Sequence, residues 1–189
     1  MTTAADTIAI DDGTAARSEL YGLLADGLEF PSKEFHAQVQ AGEFAQRVAA
    51  LVSDLPYGLP EPIDTSALMD EASYVEFQGE YMRLFDIGAV RPPCPLYGGE
   101  WGGARKRSME EALRFYRFFG LKVDDSAHEL PDHVTLEFEF MEVMAFAEGS
   151  ARVDGGDLAG GESACQQAAE IFGALLAASP GNATAQRDA

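Results

Sequence analysis

Apolar residues recur along this chain at three- and four-residue intervals, the spacing of one face of an α-helix. From Thr14 onward, Leu20, Leu23, Leu24 and Leu28 make a first stripe, which Pro31 ends. Ser32 is placed to cap a short second helix carrying Phe35 and Val39. Phe44, Val48, Leu51, Val52 and Leu55 form a third stripe, closed by the loop PYGLPEP at 56–62. Asp64 and Ser66 offer capping oxygens for a long helix with Tyr74, Phe77, Tyr81, Leu84 and Phe85 on one side. Residues 104–119 return to helix, with Met109, Leu113, Tyr116 and Phe119 on a stripe and Phe115 and Phe118 beside it, and Gly120 is the expected stop. Pro131 suits the first turn of the next helix, where its missing N–H has no partner to lose. That helix is apolar on two sides, Val134, Phe138, Met141 and Ala145 on one and Leu136, Phe140, Val143 and Met144 on the other, so it is expected at the centre. Ala164, Ala168, Ile171, Phe172 and Leu175 mark a last helix. TLEFEF at 135–140 alternates like a strand, but its proline-led start and its continuation through MEVMAFA favour helix. The fold class is therefore all-α, a single-domain bundle of about six to eight helices.

Two stretches break the helical rhythm. Asp86 to Gly103 contains RPPCPLYGGEWGG, whose prolines and glycines sustain neither a helix nor a central strand. A loop of this length inside a compact domain points to function. The second is glycine-rich and makes 148–161 a flexible linker within a helical domain spanning 14–178, with 1–13 and 179–189 as disordered ends.

Composition narrows the classes. No apolar run reaches the length of a membrane span, and the first residues, MTTAADTIAIDDG, place acids where an export signal needs a basic flank. Cys94 and Cys165 have no CxxC partner, so neither a zinc site nor a disulfide framework is indicated, and a reduced, cytoplasmic chain is expected. The formal net charge of −19 repels a nucleic-acid backbone and attracts basic peptides, although with only three lysines it is equally the balance of a salt-tolerant, solvated surface.

The densest chemistry lies in Glu129-Leu130-Pro131-Asp132-His133. His133 and Glu137 share a helix face at i, i+4, but a metal site needs further ligands and a di-iron bundle needs a second Glu-x-x-His, which is absent. A hydrogen-bonded pair or a partner contact remains. Cys94 has no base named for it, and no nucleophile elbow, phosphate loop or dinucleotide fingerprint occurs, so no catalytic residue, metal or cofactor is expected. The stripe Tyr74, Phe77, Tyr81 and Phe85 reads as core, or as one wall of a groove beside the proline-rich loop. Arg105, Lys106, Arg107, Arg114 and Arg117 are expected to balance acids on neighbouring helices.

In order, Tyr81-Met82-Arg83-Leu84-Phe85, Pro92-Pro93-Cys94-Pro95-Leu96-Tyr97 and Glu129 to His133 resemble the motifs of the TorD/DmsD/NarJ family of redox-enzyme maturation chaperones. The resemblance covers roughly residues 15 to 147 and fades beyond them. ELPDH is most similar to the NarJ-like branch, and PPCPLYGGEW resembles chaperones serving type II molybdoenzymes of the dimethyl sulfoxide reductase family. The resemblance implies a TorD-like, non-enzymatic, monomeric cytoplasmic chaperone. Its partner would be the twin-arginine leader or N-terminal segment of a molybdoenzyme catalytic subunit, held until molybdopterin is inserted. On that basis Tyr81, Leu84, Phe85, Pro93, Pro95 and Tyr97 are expected to wall the leader site and Pro131, Asp132, His133 and Glu137 to complete it, with Asp132 and Glu137 meeting arginines. A helical scaffold or a small metalloprotein are the competing classes.

Overall fold

The computed structural model describes residues 12–57, 64–85, 92–101, 104–123 and 129–153. They form six α-helices: α1 (Asp12–Leu28), α2 (Lys33–Gln40), α3 (Glu43–Ser53), α4 (Tyr74–Phe85), α5 (Arg105–Phe118) and α6 (Val134–Val153), with 3-10 turns at Thr65–Leu68 and Gly98–Glu100. Among the described residues there is no strand beyond one isolated antiparallel bridge, between Tyr97 and His133. The all-helical expectation holds. The ends, the last helix at 164–175 and most of the linker lie outside the described residues.

The frame is an antiparallel pair. The carboxylate of Glu148 accepts from Arg17, the Ser18 hydroxyl donates to Glu142 O at 2.9 Å, and the Tyr21 ring stacks on Phe138 at 6.1 Å, so α1 and α6 run in opposite directions. Small residues carry the close approach: Ala16 and Ala25 of α1 and Ala145 and Ala147 of α6 are buried beside Leu23 and Val143. Gly22 leaves room for the Glu142 carboxylate, whose oxygen a Cβ would meet at 2.7 Å. α6 packs chiefly on α1 and, through Phe140, on α5, but Met141, expected on an apolar side of a central helix, is exposed. The length of α6 exceeds the expectation, because Gly149, assigned to the flexible linker, is buried and the helix continues to Val153.

Ser32 caps α2 as its hydroxyl accepts from Phe35 N at 3.0 Å, and Gly42, at φ 73°, turns the chain into α3 so that Phe35 and Phe44 meet edge to face. Asp64 caps the short turn Thr65–Leu68 and not a long helix. The reason lies nine residues on, where Ser73 and Glu76 form a reciprocal capping box that starts α4 at Tyr74. His36 is buried between Tyr74 and Phe77, with a ring nitrogen 2.9 Å from Ala72 O. Gly120, at φ 77°, ends α5 with Leu121 N donating to Tyr116 O at 2.8 Å.

A candidate peptide-binding site lined by aromatics and acids

The site forms where the proline-rich segment crosses the start of α6. Its backbone is tied at both ends: Cys94 N donates to Leu84 O at 3.0 Å, Val134 N to Leu96 O at 2.8 Å and Gly98 N to Asp132 O at 2.8 Å. Gly98 and Gly99 permit this path, since a Cβ would lie 2.7 Å from Ser108 Oγ and 2.6 Å from Arg105 Cα respectively. Proline takes a different place from the one expected. Pro131 and Asp132 form a turn closed by His133 N to Leu130 O at 2.9 Å, and the helix begins only at Val134.

Asp132 is the knot of this arrangement. It has no exposed surface, and its Oδ2 accepts from Gly99 N at 3.0 Å, while Oδ1 has no hydrogen-bond partner among the described residues. His133 is 4% exposed. Its Nδ1 accepts from Thr135 N at 3.3 Å and sits 2.6 Å from Thr135 Oγ1, which leaves the ring proton on Nε2, 3.8 Å from Glu129 Oε2. Burial lowers the His133 pKa, against the opposing pull of Glu129 and Asp132, so the ring is neutral. Tyr97 packs edge-on against that ring at 4.8 Å and donates its hydroxyl to Glu129 Oε2 at 2.5 Å. Burial first, and then this bond, raise the Tyr97 pKa.

A second cluster forms where the end of α1 meets α4. The Tyr81 hydroxyl donates to Leu28 O at 2.9 Å, and its ring meets Phe30 edge to face at 5.4 Å and Phe85 at 5.0 Å. Phe30 is 55% exposed. Acids lie near both clusters, and some raise one another's pKa. Partial burial, then Asp26 and then Glu129, raise the Glu29 pKa, and desolvation followed by Glu29 and Asp26 pushes Glu139 up to about 7.

The residues expected from sequence therefore fall into two groups. Tyr81, Phe85 and Tyr97 keep part of their surface open, Leu84 is half-buried, and Pro93 and Glu137 are exposed. Pro95, Asp132 and His133 are buried, and Pro131 is half-buried, its carbonyl accepting from Tyr116 Oη at 2.9 Å. Although Glu137 is exposed as a residue, partial desolvation of its carboxyl and then Asp132 raise its pKa. Sequence reasoning missed Asp26, Glu29, Phe30 and Glu139. Their signal was slight: an aromatic between an acid and Pro31 at a helix end, and an acid on a helix otherwise read as core. Of the α5 cations expected to balance neighbouring helices, Lys106 and Arg107 instead pair with Glu110 and Glu111 of the same helix, and Arg105 lies over the Tyr97 ring at 5.6 Å. Among the described residues no three His, Cys, Asp or Glu side chains gather to hold a metal, and no helix is long and apolar enough to cross a membrane.

The described residues form a helical fold that carries a partly open aromatic cluster, Phe30, Tyr81 and Phe85, and a Tyr97–Glu129 pair. A family model described as "Nitrate reductase delta subunit" matches residues 40–175, and the chain belongs to that family. The match runs past residue 147, where the sequence resemblance was expected to fade. The chain is 32% identical over 149 residues to the perchlorate reductase assembly chaperone protein of Dechloromonas aromatica (strain RCB), covering 76% of this chain and 66% of that one. It is 32% identical over 159 residues to the dimethyl sulfide dehydrogenase assembly chaperone protein of Rhodovulum sulfidophilum, covering 78% and 62%. A chlorate reductase assembly chaperone protein of Ideonella dechloratans is 35% identical over 82 residues, 42% of each chain. This chain thus spans less than two thirds of the length of each of these relatives.

Proposed function

We propose that this chain is a non-enzymatic, cytoplasmic assembly chaperone. It holds the twin-arginine leader or N-terminal segment of a molybdoenzyme catalytic subunit while molybdopterin is inserted, and releases it for export. The observation that carries this reading is the partly open aromatic cluster of Phe30, Tyr81 and Phe85, with Glu29 next to Phe30 in sequence, together with the Tyr97–Glu129 pair. A leader of this kind is a pair of guanidinium groups followed by an apolar run. Guanidinium beside Glu29 and Glu129 relieves the repulsion between the two carboxylates, and the aromatic rings take the apolar run. The similarity to assembly chaperones of perchlorate reductase and dimethyl sulfide dehydrogenase supports the choice of client class. In this reading Asp132 and His133 brace the cleft from inside, and Glu29 and Glu129 meet the arginines.

Calorimetric titration with a twin-arginine peptide tests this. Binding of the wild type weakens about tenfold or more in Glu29→Gln/Glu129→Gln, a loss of about 1.4 kcal/mol or more. The glutamine amide that replaces the Glu129 carboxylate still has an oxygen to accept the Tyr97 bond, so the cleft survives the change. Equal affinity for a scrambled peptide of the same composition overturns the proposal.

A further inference from the structure

Trp101 is the most exposed aromatic side chain among the described residues, at 69%, and yet it is held in place. Its backbone N–H donates to Gly98 O at 3.2 Å, closing the turn Gly98–Glu100, and its indole Nε1–H donates to Pro95 O at 2.9 Å. Pro95 is buried, and the N–H of Cys94 beside it is bonded to Leu84 O. One edge of the indole is thus tied to the backbone that runs from the end of α4 to Tyr97. A ring this exposed keeps at least one face open to solvent. Both of its N–H donors are spent, so what it offers a ligand is that face and not a hydrogen bond.

The same segment already holds one guanidinium against a ring, since Arg105 lies over Tyr97 at 5.6 Å. Among the described residues no cation lies over Trp101. Tryptophan offers a cation the strongest face of the aromatic side chains, and a planar guanidinium stacks on it where an ammonium acts as a point charge. The net charge of −19 draws cationic ligands to the chain, but charge alone does not tell arginine from lysine. We infer that, in the leader-binding role proposed above, Trp101 stacks on one guanidinium of the twin-arginine pair and makes the chain prefer arginine to lysine there. Carboxylates supply the attraction, and the indole supplies the discrimination.

Calorimetric titration of the full chain with a twin-arginine leader peptide, its twin-lysine counterpart and a scrambled peptide, all free of tryptophan, tests the inference. The wild type prefers the arginine peptide to the lysine one, and Trp101→Leu narrows that ratio about two- to fivefold. Trp101→Phe, which keeps a ring but not the Nε1–H bond, keeps most of the preference. Trp101 is the chain's one tryptophan, so its fluorescence changes on saturation with the arginine peptide. Unchanged emission overturns the inference, as does an arginine-to-lysine ratio that is the same in wild type and Trp101→Leu, including the case where both peptides weaken equally because the indole meets the apolar run. A preference lost equally in Trp101→Phe makes the tie to Pro95 responsible and not the ring face, and overturns it too. If the wild type favours the leader over the scrambled peptide but binds arginine and lysine forms alike, the role of Trp101 falls and leader binding stands. Equal binding of leader and scrambled peptide overturns the leader-binding role itself and the inference with it.

Discussion

Asp132 has no exposed surface, yet it ties the proline-rich segment to the start of α6 through the Gly99 N–H. Removing its carboxylate leaves that donor without its partner and frees the backbone that carries Tyr97. Asp132→Ala is therefore expected to lower stability by about 1–3 kcal/mol in urea unfolding and, through the freed Tyr97 segment, to weaken peptide binding as well. Asp132→Asn keeps an acceptor for Gly99 and retains most of both properties. The buried ionisable groups set a pH dependence of two opposite signs. His133 has a folded pKa below its ordinary 6.5, so the unfolded chain takes up a proton that the folded ring refuses, and stability falls as pH drops below that value. Glu142, desolvated against α1 and crowded by Asp26, Glu139 and Glu19, is pushed up to about 7, so its contribution is full below 4.5 and is lost as pH rises toward 7. Unfolding series between pH 4.5 and 8 should show His133→Gln removing the acid-side loss and Glu142→Gln the loss near neutrality. An unchanged slope in either variant contradicts the assignment.

Among the elements, α1 and α6 approach closely because alanines face one another. Ala145, 3% exposed, has no space for more atoms, and Ala145→Leu is expected to destabilise by about 1–3 kcal/mol, read from the urea midpoint at unchanged m-value. The helices were legible because each stripe keeps the 3.6-residue period over two or more turns, and α2 and α5 have local start or stop signals at Ser32 and Gly120. Boundaries were legible only where the cap was local. Asp64 looked like a helix cap, and only the reciprocal bonds of Ser73 and Glu76 show where α4 begins. Gly149 looked like linker because burial against α1, which keeps it helical, is a tertiary fact. The motifs ELPDH and PPCPLY were readable as important, but their division of labour was not. That Tyr97 keeps part of its surface open while Asp132 and His133 are buried depends on a turn at Pro131 that the sequence pattern offered as helix. Phe30 and Glu29 reach the site only because α1 ends against α4.

For the molecule as a whole, the charge of −19 sets the long-range field and the cleft sets the short-range fit. The field hastens the encounter with any basic peptide and is screened over about 8 Å at physiological ionic strength. Raising salt should therefore weaken both specific and scrambled peptides, while their ratio of affinities, which reports the aromatic contacts, changes little. The central claim is that the leader lies between the α1–α4 junction and the Tyr97–Glu129 pair. The most direct measurement is photo-crosslinking with a twin-arginine peptide carrying a photoreactive group in its apolar run, followed by mass spectrometry of the adducts. The account predicts adducts within 28–30, 81–85 and 97–101, suppressed by excess unlabelled peptide. Competable adducts concentrated on α2, α3 or the outer face of α5, with none at those positions, would contradict it.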